Sequence, residues 1–151
     1  MTASTGSNAE LHRIVRDRLS AREQRYTTGR RLIVDALAVA AGPVTLPELL
    51  VEQPALAQSS TYRNLSIMEE AGVVRRLVHG ADHAHYELAE DLTEHHHHLI
   101  CESCGLIRDI TLNSRLERSL DSAFDGVARS EGFSPHHHAI DIYGHCAECA
   151  A

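Results

Sequence analysis

The sequence predicts an α+β protein in two parts, a winged helix-turn-helix unit followed by a smaller α/β unit. Three observations carry this. Residues 1–88 read as a series of helices closed by a two-stranded hairpin. All four cysteines lie beyond residue 95, as Cys101-Glu-Ser-Cys104 and Cys146-Ala-Glu-Cys149. Each pair follows a histidine run, His95–His98 and His136–His138.

The elements follow in order. Leu11, Ile14, Val15 and Leu19 share one helical face, which places a first helix near 9–21 behind a disordered lead, 1–8. A second runs from Thr28 to Ala40 and stops at Gly42-Pro43. Thr45-Leu-Pro-Glu48 has capping-box spacing for a short third helix that ends near Gln53-Pro54. Ser59 or Ser60 caps a fourth, with Leu65, Met68 and Ala71 inward and Gly72 at its close. Val73–Val78, a turn over His79–Asp82, and His83–Leu88 form a hairpin. Residues 89–94 are a hinge. Beyond it come strands at His96–Cys101 and Leu106–Ile110. A helix over Ser114–Ser130 has Leu116, Leu120, Ala123, Phe124 and Val127 inward, and a last strand covers His138–Tyr143.

At 151 residues with few aromatics and no Trp, either half alone has a marginal core, which favours stapling by a metal or a partner subunit. No run approaches a membrane span and the first residues lack the apolar segment of a signal peptide, so a cytoplasmic protein is expected. Lys is absent. Residues 1–85 carry +1 and residues 86–151 carry −8, so nucleic acid would be approached through an Arg-bearing face of the front half, while the back half suits cations.

In a reducing compartment, paired CxxC motifs favour metal over disulfide, and four thiolates suit a tetrahedral structural Zn²⁺. The 41 residues between the pairs exceed the usual zinc-ribbon gap, so a strand-helix-strand unit must fold between them. On a strand, His96 and His98 point one way and His95 and His97 the other, so four adjacent histidines imply two sites. The same parity groups His83, His85 and Glu87. The fourth helix opens with Gln58-Ser-Ser-Thr-Tyr-Arg-Asn64, a recognition-helix pattern. Arg63 suits guanine or phosphate, Tyr62 a thymine methyl or phosphate, and Ser59, Ser60, Thr61 and Asn64 base edges. Arg30 is counted with these DNA-contacting residues.

These segments resemble the ferric uptake regulator family of bacterial metal-sensing repressors from about Arg22 to Cys149. The matching stretches are Tyr26–Arg31, Ser60–Leu65, Glu70–Val74, Tyr86–Leu88, His95–Gly105 and Ile142–Cys149. The resemblance implies a homodimer on palindromic double-stranded DNA, with residues 95–151 as the metal-binding dimerisation domain. It implies structural zinc at Cys101, Cys104, Cys146 and Cys149. It implies a hinge sensing site from Glu87, His96 and His98 with Asp109, and an additional site from His95, His97, Glu117 and His138. The sensed ion is a divalent metal, Fe²⁺, Zn²⁺ or Mn²⁺.

Two departures stand out. Pro43 occupies a position where the family often has a histidine ligand, and His85, by parity with Glu87, is the expected replacement, ahead of His83. Zinc-sensing members often place a Cys near residues 87–91, and this chain has none. The peroxide-sensing branch tends to have Asp where Glu87 stands, which disfavours oxidation sensing. A metal-dependent hydrolase or a metal buffer would also use a His/Glu cluster, but each leaves the recognition helix idle, and no enzyme is expected.

Overall fold

The computed structural model describes residues 5–79 and 83–150. The chain divides into two compact units, Met1–Glu94 and His95–Ala151.

The first unit holds α1 (Thr5–Ser20), α2 (Thr28–Val39), β1 (Val44–Thr45), α3 (Leu46–Glu52), α4 (Gln58–Glu70), β2 (Val74–Val78) and β3 (Ala84–Leu88), then a 3₁₀ turn at Glu90–Leu92. Its sheet is antiparallel in the order β1-β3-β2. Val15 and Leu19 of α1, Ile33 and Val34 of α2, Leu49 of α3, and Leu65 and Met68 of α4 meet Val73, Val74, Tyr86 and Leu88 of the hairpin in one core. Each fully buried aliphatic side chain contributes about 1.5–3 kcal/mol, so this shared core holds the recognition helix against the wing.

The helix ends follow local chemistry. Thr45 and Glu48 close a reciprocal capping box at α3. Gly72, at φ 72°, ends α4; its N–H donates to the Glu69 carbonyl while Val73 N–H donates to that of Met68. That double bond pattern needs a left-handed residue, which glycine adopts without a Cβ clash.

Several expectations are corrected. Thr5–Asn8 belong to α1 rather than to a disordered lead, and residues 1–4 lie outside the described residues. Of the expected turn at 79–82, residues 80–82 also lie outside them. Neither Ser59 nor Ser60 caps α4. The helix starts at Gln58 behind Ala57, so both serines fall inside its first turn, and the Ser60 hydroxyl donates to the Ala57 carbonyl at 3.2 Å. Strand β1, too short to show a period, was not expected; it makes β3 a central strand, with Val44 opposite Tyr86 and Thr45 opposite His85.

The second unit holds β4 (His97–Cys101), β5 (Ile107–Ile110), α5 (Ser114–Ser130) and β6 (Asp141–Gly144), in the sheet order β5-β4-β6. β5 is antiparallel to β4 and β6 is parallel to it. Asn113 caps α5 by accepting from Leu116 N–H at 2.9 Å. The apolar stripe of α5, expected inward, is a surface of the single chain. Leu116 is 43% exposed, Phe124 39% and Val127 65%. One three-stranded sheet has too little area to cover it, and Leu99, Ile142 and Tyr143 on the sheet are 40–52% exposed as well.

Candidate metal centres and recognition helix

The parallel β4–β6 pair explains how cysteines so far apart in sequence meet. Cys101 is the register partner of Gly144, so the two knuckles leave the sheet at the same end. The Cys101, Cys104, Cys146 and Cys149 sulfurs lie within 4.8 Å of one another. Four sulfurs about 2.3 Å from one Zn²⁺ stand roughly 3.8 Å apart in a tetrahedron, and the Cys104 and Cys146 sulfurs are 3.8 Å apart. Backbone N–H groups of Cys104 and Cys146 aim at Cys101 and pull its thiol down to about 5. Cys149, crowded by the sulfurs of Cys146, Cys104 and Cys101, is pushed up to about 12. The first thiolate therefore makes the next harder to form, a repulsion that a bound dication would offset. The four donors fit structural zinc.

The histidine run separates by strand parity. His95 and His97 meet Glu117 and His138, with donor atoms within 4.8 Å. Glu117 is in the first turn of α5. Its Oε1 is 2.8 Å from His97 Nε2, and its Oε2 is 3.1 Å from His138 Nε2 and 3.4 Å from His95 Nε2. Glu117 Oε2 is buried with no hydrogen-bond partner, so these two imidazole nitrogens surround it without satisfying it. Burial pushes the Glu117 carboxyl up, but His97, His95 and His138 together hold it below its ordinary value. A divalent cation fits such a donor set.

The opposite parity brings His96 and His98 to Asp109. Asp109 Oδ1 is 3.5 Å from His98 Nε2 and 3.8 Å from His96 Nε2, and His98 and Asp109 are register partners across β4–β5. Glu87 lies in the first unit, buried on β3 opposite Arg75, whose guanidinium is 3.7 Å from its carboxylate.

His85 and His83 join no cluster of three or more donors among the described residues. His85 stands between Thr45 and Leu77, and its Nδ1 is 3.2 Å from the His83 carbonyl. The strand parity it shares with Glu87 does not bring it to a cluster.

The seven predicted contact residues, six on α4 and Arg30 on α2, part company. Ser59, Ser60, Tyr62 and Arg63 are exposed. Thr61 is fully buried, in line with Leu65 and Met68, and its hydroxyl has no partner. Arg30 is buried as well. It donates to the Asn64 Oδ1 at 3.0 Å, the Arg25 carbonyl at 2.5 Å and the Gln24 Oε1 at 3.2 Å. Arg30 and Asn64 therefore brace α2 against α4 and Thr61 packs the core; Arg30 and Thr61 are buried, and Asn64 is half-buried.

Sequence reasoning missed two carboxylates and a network. Asp121 is 2.9 Å from His138 Nδ1, and Asp141 is 3.1 Å from His98 Nδ1. Buried His12 joins α1 to α2, with Nδ1 2.6 Å from the Tyr26 hydroxyl and Nε2 2.8 Å from Asp35. The spacing of Glu117 and Asp121, one helical turn, was the only available signal.

The sequence model of the ferric uptake regulator family matches residues 21–143. The chain belongs to the ferric uptake regulator family. Solved ferric uptake regulators share its architecture. That of Helicobacter pylori superposes with a TM-score of 0.71 at 20% identity, over 95% of this chain and 94% of its own. That of Vibrio cholerae gives 0.65 at 21%, over 86% and 98%. By sequence the chain is similar to the peroxide operon regulator of Bacillus subtilis, 33% identical over 97 residues, 64% of this chain and 61% of that one. A peroxide-responsive repressor of Staphylococcus epidermidis is 30% identical over 96 residues, 64% and 59%. The chain thus matches about three fifths of the length of these relatives.

Proposed function

We propose that this chain is a cytoplasmic, metal-dependent transcriptional repressor that binds a palindromic double-stranded operator as a homodimer. One observation carries the reading: β4 sorts adjacent histidines into two donor clusters in a protein that also exposes Tyr62 and Arg63 on a braced recognition helix. The comparisons lend no support to a hydrolase or a metal buffer.

In this reading the four cysteines hold structural zinc, and the uncovered apolar face of α5 packs against the second subunit. His96, His98 and Asp109, with Glu87 from the winged unit, hold the sensed Fe²⁺, Zn²⁺ or Mn²⁺ across the hinge. The His95, His97, Glu117 and His138 cluster holds a further ion. The Helicobacter pylori relative is described as having three functional metal-binding sites, which supports this count. An ion that binds the DNA-competent arrangement more tightly shifts the dimer toward it, and a tenfold gain in operator affinity needs about 1.4 kcal/mol of coupling.

The test is selection of operator fragments from genomic DNA with the apo-hinge protein and with each metal in turn. Metal-dependent enrichment of a palindrome is expected. Equal enrichment with and without metal would sink the proposal.

The peroxide regulators among the relatives favour a second reading, in which oxidation of an Fe²⁺-loaded hinge releases the operator. Glu87 stands against it. Peroxide treatment of the Fe²⁺-loaded complex decides: retained binding supports metal sensing, and rapid loss with Fe²⁺ but not Mn²⁺ supports the alternative.

A further inference from the structure

We propose that the cleft between α1 and α2 binds a phosphate group, clamped by the guanidiniums of Arg16 and Arg31 with the Asn8 amide as a further donor.

α1 carries Asn8, His12 and Arg16 at successive i, i+4 positions, which form one ridge of the helix. α2 carries Arg31 and Asp35 one turn apart. Asn8, Ala9, His12, Arg16 and Arg31 line an open cleft of about 410 Å³. The two arginines converge there from different helices. Burial and Asp35 push the nearby Tyr26 hydroxyl up, while Arg31 and Arg16 both pull it down. α1 lies ahead of residues 21–143, so the family likeness assigns nothing to this cleft.

The one carboxylate beside the cleft is already engaged. His12 Nε2 is 2.8 Å from Asp35 Oδ1. A carboxylate only accepts, so Nε2 donates, and Nδ1 accepts from the Tyr26 hydroxyl at 2.6 Å. Neighbouring arginines find acids: Arg13 pairs with Glu10 and Asp17, Arg18 with Asp91, and Arg75 with Glu87. Arg16 and Arg31 are exposed and form no ion pair with any of the described residues. Two like charges on one cleft repel, and an anion between them relieves that. Guanidinium forks match phosphate oxygens in geometry, and two forks approach one group from two sides. A DNA backbone phosphate and a free phosphoester share this chemistry.

The experiment uses the full-length, zinc-loaded protein and has two arms. In the first, inorganic phosphate and ribose 5-phosphate are titrated at constant ionic strength, with acetate as control, and backbone amides of α1 and α2 are followed by NMR. Saturable shifts are expected, with affinity lowered about 10-fold or more in the Arg16→Gln, Arg31→Gln double variant. In the second, binding of a non-specific duplex is measured by anisotropy across a salt series. Each lost backbone-phosphate contact flattens the logarithmic salt slope by about 0.9, hence about 2 for the two subunits of a dimer. Arg13→Gln is the control and should match the parent in both arms. Loss of the phosphate titration with an unchanged salt slope assigns a free phosphoester, and a slope flattened in the double variant alone assigns the DNA backbone. Unsaturable shifts with an unchanged slope, or an Arg13→Gln variant as impaired as the double variant, overturns the inference. A parent protein that binds no duplex counts against the proposed repressor and leaves the first arm to decide this cleft.

Discussion

His98 and Asp141 face each other across the parallel β4–β6 pair, with Asp141 Oδ1 3.1 Å from His98 Nδ1. The carboxylate fixes the ring proton on Nδ1 and leaves Nε2 for the side where Asp109 and His96 lie. Asp141→Asn should therefore lower the affinity for the activating ion about 10-fold or more, with the cysteine zinc retained. An unchanged Mn²⁺ or Co²⁺ titration curve would show that the pair is only structural.

The exposed and buried residues of α4 should separate by substitution. Arg63→Ala should weaken operator binding by about 1–3 kcal/mol if Arg63 reads a base, and less, without sequence preference, if it meets phosphate. Thr61→Val should leave binding unchanged and should not destabilise the fold, because the Thr61 hydroxyl is buried without a partner. Fluorescence anisotropy at fixed salt, with thermal melts, checks both. Loss of operator affinity in a stable Thr61→Val protein would contradict its inward assignment.

Cys101→Ser or Cys149→Ser should release zinc and dissociate the dimer, since structural-metal binding energy is folding energy. Metal analysis with sedimentation velocity reads both effects at once. A zinc-free yet dimeric and stable variant would refute the structural role.

Tyr26 gives the first unit an alkaline limit. Burial, with the Asp35 carboxylate, raises its hydroxyl to about 12. A pKa raised in the folded state contributes stability that is complete below the unfolded value, about 10, and is lost as pH rises toward 12. Melting temperature should fall across pH 10–12 in the parent and fall less in Tyr26→Phe. Parallel curves for the two would remove Tyr26 as the cause.

Local chemistry made much of this fold legible. Thr45 with Glu48 announced α3, and the apolar period of Ser114–Ser130 matched α5 at both ends. Strand alternation alone divided the four histidines. What could not be read depends on tertiary pairing. Asp141 reaches His98 only because β6 runs parallel beside β4. Arg30 and Thr61 look like DNA-contacting types, yet a guanidinium with three internal acceptors and a hydroxyl turned into an apolar core are set by how α2 and α4 pack. His85 shares parity with Glu87, but parity fixes a face and not a reach.

Five residues of β4 carry His97, His98 and Cys101, each belonging to a different cluster. Because side-chain direction reverses at every step, a slip of β4 by one residue would hand each histidine to the wrong face and lift Cys101 from its knuckle. The cysteine end acts as the pawl of a ratchet, and the histidine end cannot advance while it is engaged. A chain whose four cysteines are gathered therefore has its two imidazole faces already decided.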